Sequence, residues 1–308
     1  MLDLAWSLVP VVSLIALGAF LRRMRLLDAA GWVALERLTY FVLFPPLMFM
    51  SIVGGAFSGG DALRLALAMI VAELAIALFM VLGRRFLATT GPQYSSVFQA
   101  GLQWNVYVAL AIVSGLYGEA GVALAAVGFA ALSPIKNVLS ILVLTRNAGP
   151  SPTPMNRVLR IFFTNPLILS TIAACILVVA GVRVSPPVGD TLNLLGDATI
   201  SLGLICVGAA LDFSSMSSAR LPLAVGAALR LAVMPAMSLG IALLFGLSGM
   251  PLFVVMICVA APVATTAYIL ARQLGGDARL MANLTTVTTI ASLITLPLTV
   301  MLVRVLGG

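Results

Sequence analysis

The chain has 308 residues, 62% hydrophobic and 9% charged, with a formal net charge of +7 and a mean hydropathy of +1.17. A soluble domain carries about 25% charged residues, so lipid must be the solvent for most of this surface, which excludes a soluble enzyme or adaptor. Basic residues stand at the ends of apolar runs rather than in an aromatic-laced patch, which makes the bilayer and not nucleic acid the partner.

A spanning helix needs about 20 apolar residues, and cutting at charges and Gly/Pro clusters predicts ten spans. The first, 4–21, has no basic residue before it and Arg22, Arg23 and Arg25 directly after it. A cleaved signal peptide has the opposite order, so a retained helix is predicted. Spans 35–55 and 62–83 follow, the latter with Glu73 inside. Span 94–117 contains "GLQWNVYVAL", in which Gln103 and Asn105 interrupt a run uncharged until Glu119. Span 121–145 carries "SPIKNV", with Lys136, the only lysine, beside Asn137. After the Pro-rich stretch "RNAGPSPTPMNR" come 165–182, 192–211, 222–247 with Arg230, 251–272 with "APVATTAY", and 279–304.

Cys175, Cys206 and Cys258 lie in separate apolar runs and read as small buried hydrophobes, neither a disulfide framework nor a zinc site. With no histidine at all, neither a metal nor another cofactor is expected. Trp6, Trp32 and Tyr94 read as interfacial anchors, and Glu36-Arg37 and Asp197 as end-of-helix charges or local pairs.

Cytoplasmic loops collect Lys and Arg. The odd-numbered loops hold Arg22, Arg23, Arg25, Arg84, Arg85, Arg146, Arg157, Arg160, Arg220, Arg272 and Arg279, whereas the even loops and C-terminus hold only Arg64, Arg183 and Arg304. Both termini are therefore predicted outside, with the Pro-rich linker, 146–164, in the cytoplasm. That linker separates a first five-helix repeat, 1–145, from a second, 165–308. A shift of about 158 positions lays "LYGEAGVALA" on "LGGDARLMAN". An odd number of spans per half makes the repeats inverted, an architecture of transporters whose site lies at the repeat interface near the midplane.

The same shift sets Trp104-Asn105 against Pro262-Val263. Pro262 removes a backbone donor and clashes with the preceding turn, and Thr265 and Thr266 can serve freed carbonyls or a ligand. A broken helix survives in a membrane only where protein or a watery cavity surrounds it. Two such breaks crossing would present half-helix N-termini, with unpaired N–H groups, to a carboxylate. Asn105, Gln103, Pro262, Thr265 and Thr266 are the predicted central site, with Asn137 and Lys136 beside it. The competing reading is a plain kink, with amides that only bond a neighbouring helix.

In "WNVYVALAIVSGLYGEAGVALAAV", "FFTNPLIL", "LLGDATISLGLICVGAAL" and "APVATTAYILARQLGGD", nearly the whole chain resembles the auxin efflux carrier family, including its bacterial members. The broader relatives are the bile acid:sodium symporters. The resemblance implies a scaffold of spans 1, 2, 6 and 7 and a mobile domain of spans 3–5 and 8–10. It also implies a crossing of spans 4 and 9, elevator-like transport and a ligand-contacting role for Asn105. Its substrates are small organic acids, auxin in plants and dicarboxylates such as malonate or malate in bacteria. Many relatives have a proline shortly after that asparagine, which "NVYVALAI" lacks.

The expected function is a multi-pass secondary transporter of small organic anions in a bacterial inner membrane. A symporter of larger amphipathic acids and a passive channel stay open beside it. A coupling H+ or Na+ and a homodimer are further expectations, with Glu73 as proton carrier and Lys136 as its charge partner or an attractor of anions. A Ser/Lys hydrolase built on Ser133, Lys136 and Ser140 is the enzymatic rival.

Overall fold

The structure is a computed structural model that describes residues 2–55, 59–86, 90–147, 166–212 and 220–307. The described residues are helical apart from short connections and one isolated pairing of extended backbone. In chain order the helices are α1 (Leu2–Arg23), α2 (Ala29–Leu38), α3 (Phe44–Val53), α4 (Gly59–Gly83), α5 (Gly91–Leu102) and α6 (Val106–Asn147). The second half holds α7 (Pro166–Ala180), α8 (Pro186–Ala210), α9 (Arg220–Ala228), α10 (Met234–Leu244), α11 (Gly249–Ala260), α12 (Thr266–Leu274) and α13 (Ala278–Gly307). Most of the Pro-rich linker and the start of "FFTNPLIL" lie outside the described residues.

Among the described residues, seven continuous helical stretches are long and apolar enough to cross a membrane, and α7 and α11 are shorter apolar helices. α6, at 42 residues, would extend about 63 Å if straight, twice the roughly 30 Å of a hydrocarbon core. It is not straight: Gly118 sits inside it at φ 57°, ψ −150°, a conformation essentially confined to glycine. The limbs 106–117 and 119–147 are thus separate helical units.

Local chemistry sets the other boundaries. Asp28 Oδ1 accepts from Gly31 N at 2.7 Å and starts α2, and Thr90 and Gln93 form a capping box that starts α5. α2 joins α3 through a π-helical turn, Thr39–Leu43, and α9 joins α10 through another, Leu229–Val233. Each runs into a proline, Pro45 or Pro235, and the wider turn accommodates a residue that has no N–H to give. The "GGD" of the C-terminal motif is a turn: Gly275 takes a left-handed φ of 81°, Gly276 N donates to Ala271 O, and Asp277 Oδ1 accepts from Leu280 N to start α13.

The close helix packings sort into two groups. α1, α2, α3, α7 and α8 pack on one another, as do α4, α5, α6 and α9–α13, and the substantial contacts between the groups run through α6. In lipid, helices associate through close backbone approach at small residues. At the α1–α8 contact a methyl added to Gly18 would collide with the backbone of Ile205, and one added to Gly208 with that of Ile15. Between the groups, Gly203 on α8 gives room to the ring of Tyr107 on α6.

Candidate functional site

Two helices are interrupted, and the interruptions touch. α5 ends at Leu102, and Gln103 turns extended at φ −87°, ψ 103°. α11 ends at Ala260, and Ala261 is extended at φ −61°, ψ 148°, the conformation a following proline imposes on its neighbour. Trp104 and Val263 form an antiparallel bridge, in which Asn105 N donates to Pro262 O at 2.7 Å and Ala264 N to Gln103 O at 3.0 Å. Val263 N donates to Thr288 Oγ1 of α13 at 3.1 Å. Each break therefore satisfies the backbone groups freed by the other, which hydrocarbon could not do.

The first break needs no proline. Asn105 Oδ1 accepts from Tyr107 N at 3.1 Å and Val108 N at 3.2 Å, so Asn105 caps the 106–117 limb. This uses only its carbonyl oxygen, and its Nδ2 is buried with no partner among the described residues. Gln103 is committed elsewhere, its Nε2 donating to Ser140 Oγ at 3.3 Å.

Asn105, Gln103, Thr265, Thr266, Asn137 and Lys136 all line a cavity of about 40 Å³ at the crossing, together with Tyr40, Trp104, Tyr107, Phe129 and Ser133. That holds water rather than a dicarboxylate. Pro262 lines neither this cavity nor the larger one beside it; its contribution is the break itself. Trp104 Nε1, Tyr107 OH and Ser133 Oγ are also buried without a partner. The Lys136 ammonium sits over the rings of Trp104 and Phe129, 4.6 Å from each centroid, a cation–π arrangement that leaves its N–H donors available.

Sequence reasoning missed Trp104, Tyr107, Ser133, Thr288 and Glu36. The run "LTTVTTIAS" signals Thr288, because so many hydroxyls in one span is unusual. Glu36 was expected as a local charge but reaches across the chain: Thr265 Oγ1 donates to Glu36 Oε1 at 2.6 Å. Both residues line an open vestibule of about 1090 Å³, with Arg22, Arg25, Asp28, Trp32, Cys206, Asp212, Arg272 and Arg279 also in its wall. Thr265 lines both cavities.

Two predicted anchors are corrected. Tyr94 is buried and its OH donates to Met80 O at 3.2 Å, because α5 is packed inside its group rather than set at its edge. Trp32 lines the vestibule, its Nε1 buried and unpartnered. Trp6 is 69% exposed.

Arg230, fully buried in the second π-helical turn, donates to Gly101 O at 3.0 Å and to Val259 O. Those carbonyls belong to the last turns of α5 and α11, so one guanidinium caps the negative ends of both interrupted helices. Glu73 is buried with neither oxygen hydrogen-bonded; Lys136 and Arg230 act on it through space. Lys136 therefore acts on Glu73 as a charge through space while its ammonium contacts the two rings. Ser133 Oγ has no hydrogen-bond partner among the described residues, and Ser140 Oγ accepts from Gln103 Nε2.

The profile of a family described as "Membrane transport protein", the auxin efflux carrier-like group, matches residues 4–300. The chain belongs to this membrane transport family. A curated protein from Methanothermobacter thermautotrophicus described as an "Uncharacterized transporter" is 24% identical over 294 residues, covering 95% of this chain and 96% of that one. Membership makes the chain a membrane transporter, and in this member the interrupted helices α5 and α11 meet at a donor-lined cavity.

Proposed function

We propose that the protein is a secondary carrier of small organic anions, which bind beside the crossing and move by an elevator-like displacement of one helix group against the other. One observation carries this reading: Asn105 Nδ2, Trp104 Nε1, Tyr107 OH and Ser133 Oγ, all able to donate, line the crossing beside Lys136 without a hydrogen-bond partner among the described residues. Each stranded polar group costs about 1–3 kcal/mol. A carboxylate accepts only, and so complements a wall of donors and one cation. The N-terminal ends of the 106–117 limb and of α12 add partial positive charge at the same place.

The sorting of helices into two groups joined through α6 supports the elevator. The first group would be the scaffold and the second the moving part. Ten passes follow if α2 with α3, α5 with 106–117, α9 with α10, and α11 with α12 each cross once, and if 119–147 crosses separately. This gives five in each half and inverted repeats. Arg22, Arg25, Arg272 and Arg279 in the vestibule wall support a mouth on the cytoplasmic side by the positive-inside rule. Both termini then lie outside, and the membrane is the bacterial inner membrane. Malonate- or malate-like acids and auxin-like weak acids are the substrate class. Glu73 is the candidate for proton coupling, and Glu73→Gln is expected to flatten the pH profile of uptake.

The test is uptake and counterflow of labelled malonate and indole-3-acetate in proteoliposomes, beside thermal-shift titration of the same acids. A carrier accelerates labelled uptake when unlabelled acid is preloaded. No acceleration with measurable flux would indicate a pore, and no binding or flux of any carboxylate would overturn the reading.

A further inference from the structure

Thr265 stands at the N-cap position of α12 yet makes no side-chain cap. Its hydroxyl is turned outward to Glu36 Oε1, at 2.6 Å, the length of a charge-assisted O–H···O⁻ bond. Glu36 rides on α2, which packs against α8 and belongs with it to the helix group that does not contain α12. The carboxylate thus crosses from one group to the other and settles beside the amino end of α12, where the helix field favours an anion. Thr265 also lines both the vestibule and the donor-lined cavity. An acid chain arriving through the vestibule must meet the hydroxyl that Glu36 already holds.

We propose that Glu36 is a built-in stand-in for the carboxylate of the transported anion, which the cargo displaces from Thr265 before it enters the crossing. The proposal rests on the anion-carrier reading above and adds to it a specificity-determining residue. An anion site with a fixed carboxylate in its doorway is otherwise poorly designed, because like charges repel. The contradiction disappears once the carboxylate is a competitor. With the doorway empty of cargo, Glu36 satisfies Thr265 and the α12 terminus and links the two helix groups. With cargo bound, that link is broken, so loading and freedom of the groups to slide are joined. Arg22, Arg25, Arg272 and Arg279 line the same vestibule and can receive the displaced carboxylate.

The test uses purified full-length wild type, Glu36→Gln and Glu36→Ala, with Kd measured by thermal-shift titration or calorimetry against malonate and indole-3-acetate, and KM and kcat from counterflow. Removing the competing charge is expected to tighten binding by about tenfold, the scale of one charge-assisted hydrogen bond, and to lower KM. Elution as a single species in detergent qualifies each variant, and Glu36→Ala removes the same charge if Glu36→Gln does not fold. Binding that appears only in the variants supports the proposal equally. Wild-type binding with unchanged or weaker affinity in the charge-free variants overturns the proposal and leaves the carrier reading standing. Failure of wild type and both variants to bind any carboxylate removes both.

Discussion

At the residue scale, Asn105 has two separable tasks. Its oxygen caps a helix and its nitrogen is left over. Asn105→Ala removes both; loss of the cap costs about 0.5–2 kcal/mol, and uptake should fall severely with expression near normal. Asn105→Asp keeps a capping oxygen but replaces the spare donor with negative charge. Uptake is expected to disappear in Asn105→Asp while the melting temperature stays close to wild type, and near-normal uptake by that variant would remove Asn105 from the site. Arg230 predicts the opposite pattern. Arg230→Met strands two helix-end carbonyls, at about 1–3 kcal/mol each, so thermal stability in detergent should drop together with transport. Arg230→Lys keeps the charge without the two-pronged reach and should recover only part of it.

At the element scale, two glycines are fixed for different reasons. Gly118 has open space around its missing side chain, so its role is conformational. Gly118→Ala forces an L-residue into a region costing about 1–3 kcal/mol, and should lower the melting temperature without touching the site. Gly208 has ordinary freedom but no room. Gly208→Val would push α8 off α1, and overpacking of this kind costs about 1–3 kcal/mol or more. The interrupted helices show how much of an element is readable. Pro262 announced the second break, because the residue before proline is driven out of the helix. The first break has no such residue, and its cause is a side chain bonding its own downstream amides. An asparagine inside an apolar run reads equally as cap, glue or ligand contact until its partners are known.

At the scale of the whole molecule, the two helix groups draw on both halves of the chain. One takes α1–α3 with α7 and α8, the other α4–α6 with α9–α13. Tyr107 crosses from one group to the other at Gly203, and this is the contact on which the proposed sliding bears. Gly203→Val drives a side chain into the Tyr107 ring, which also lines the crossing, so counterflow should slow and carboxylate affinity fall together. Wild-type flux and Kd in this variant would show that the contact matters to neither. The vestibule is wide and the crossing narrow.

The sequence by itself determined that lipid is the solvent, where the apolar helices run, that two of them carry polar interruptions, and which family the motifs belong to. These follow from hydropathy, proline stereochemistry and the scarcity of amides and charges in hydrocarbon, all local properties. The bridge between Trp104 and Val263, the capping of two helix ends by Arg230, the seat of Lys136 over two rings and the reach of Glu36 to Thr265 were decided only by tertiary structure. Each depends on groups far apart in the chain, and the donor or acceptor that a polar side chain meets in a membrane is set by the neighbour that folding brings to it.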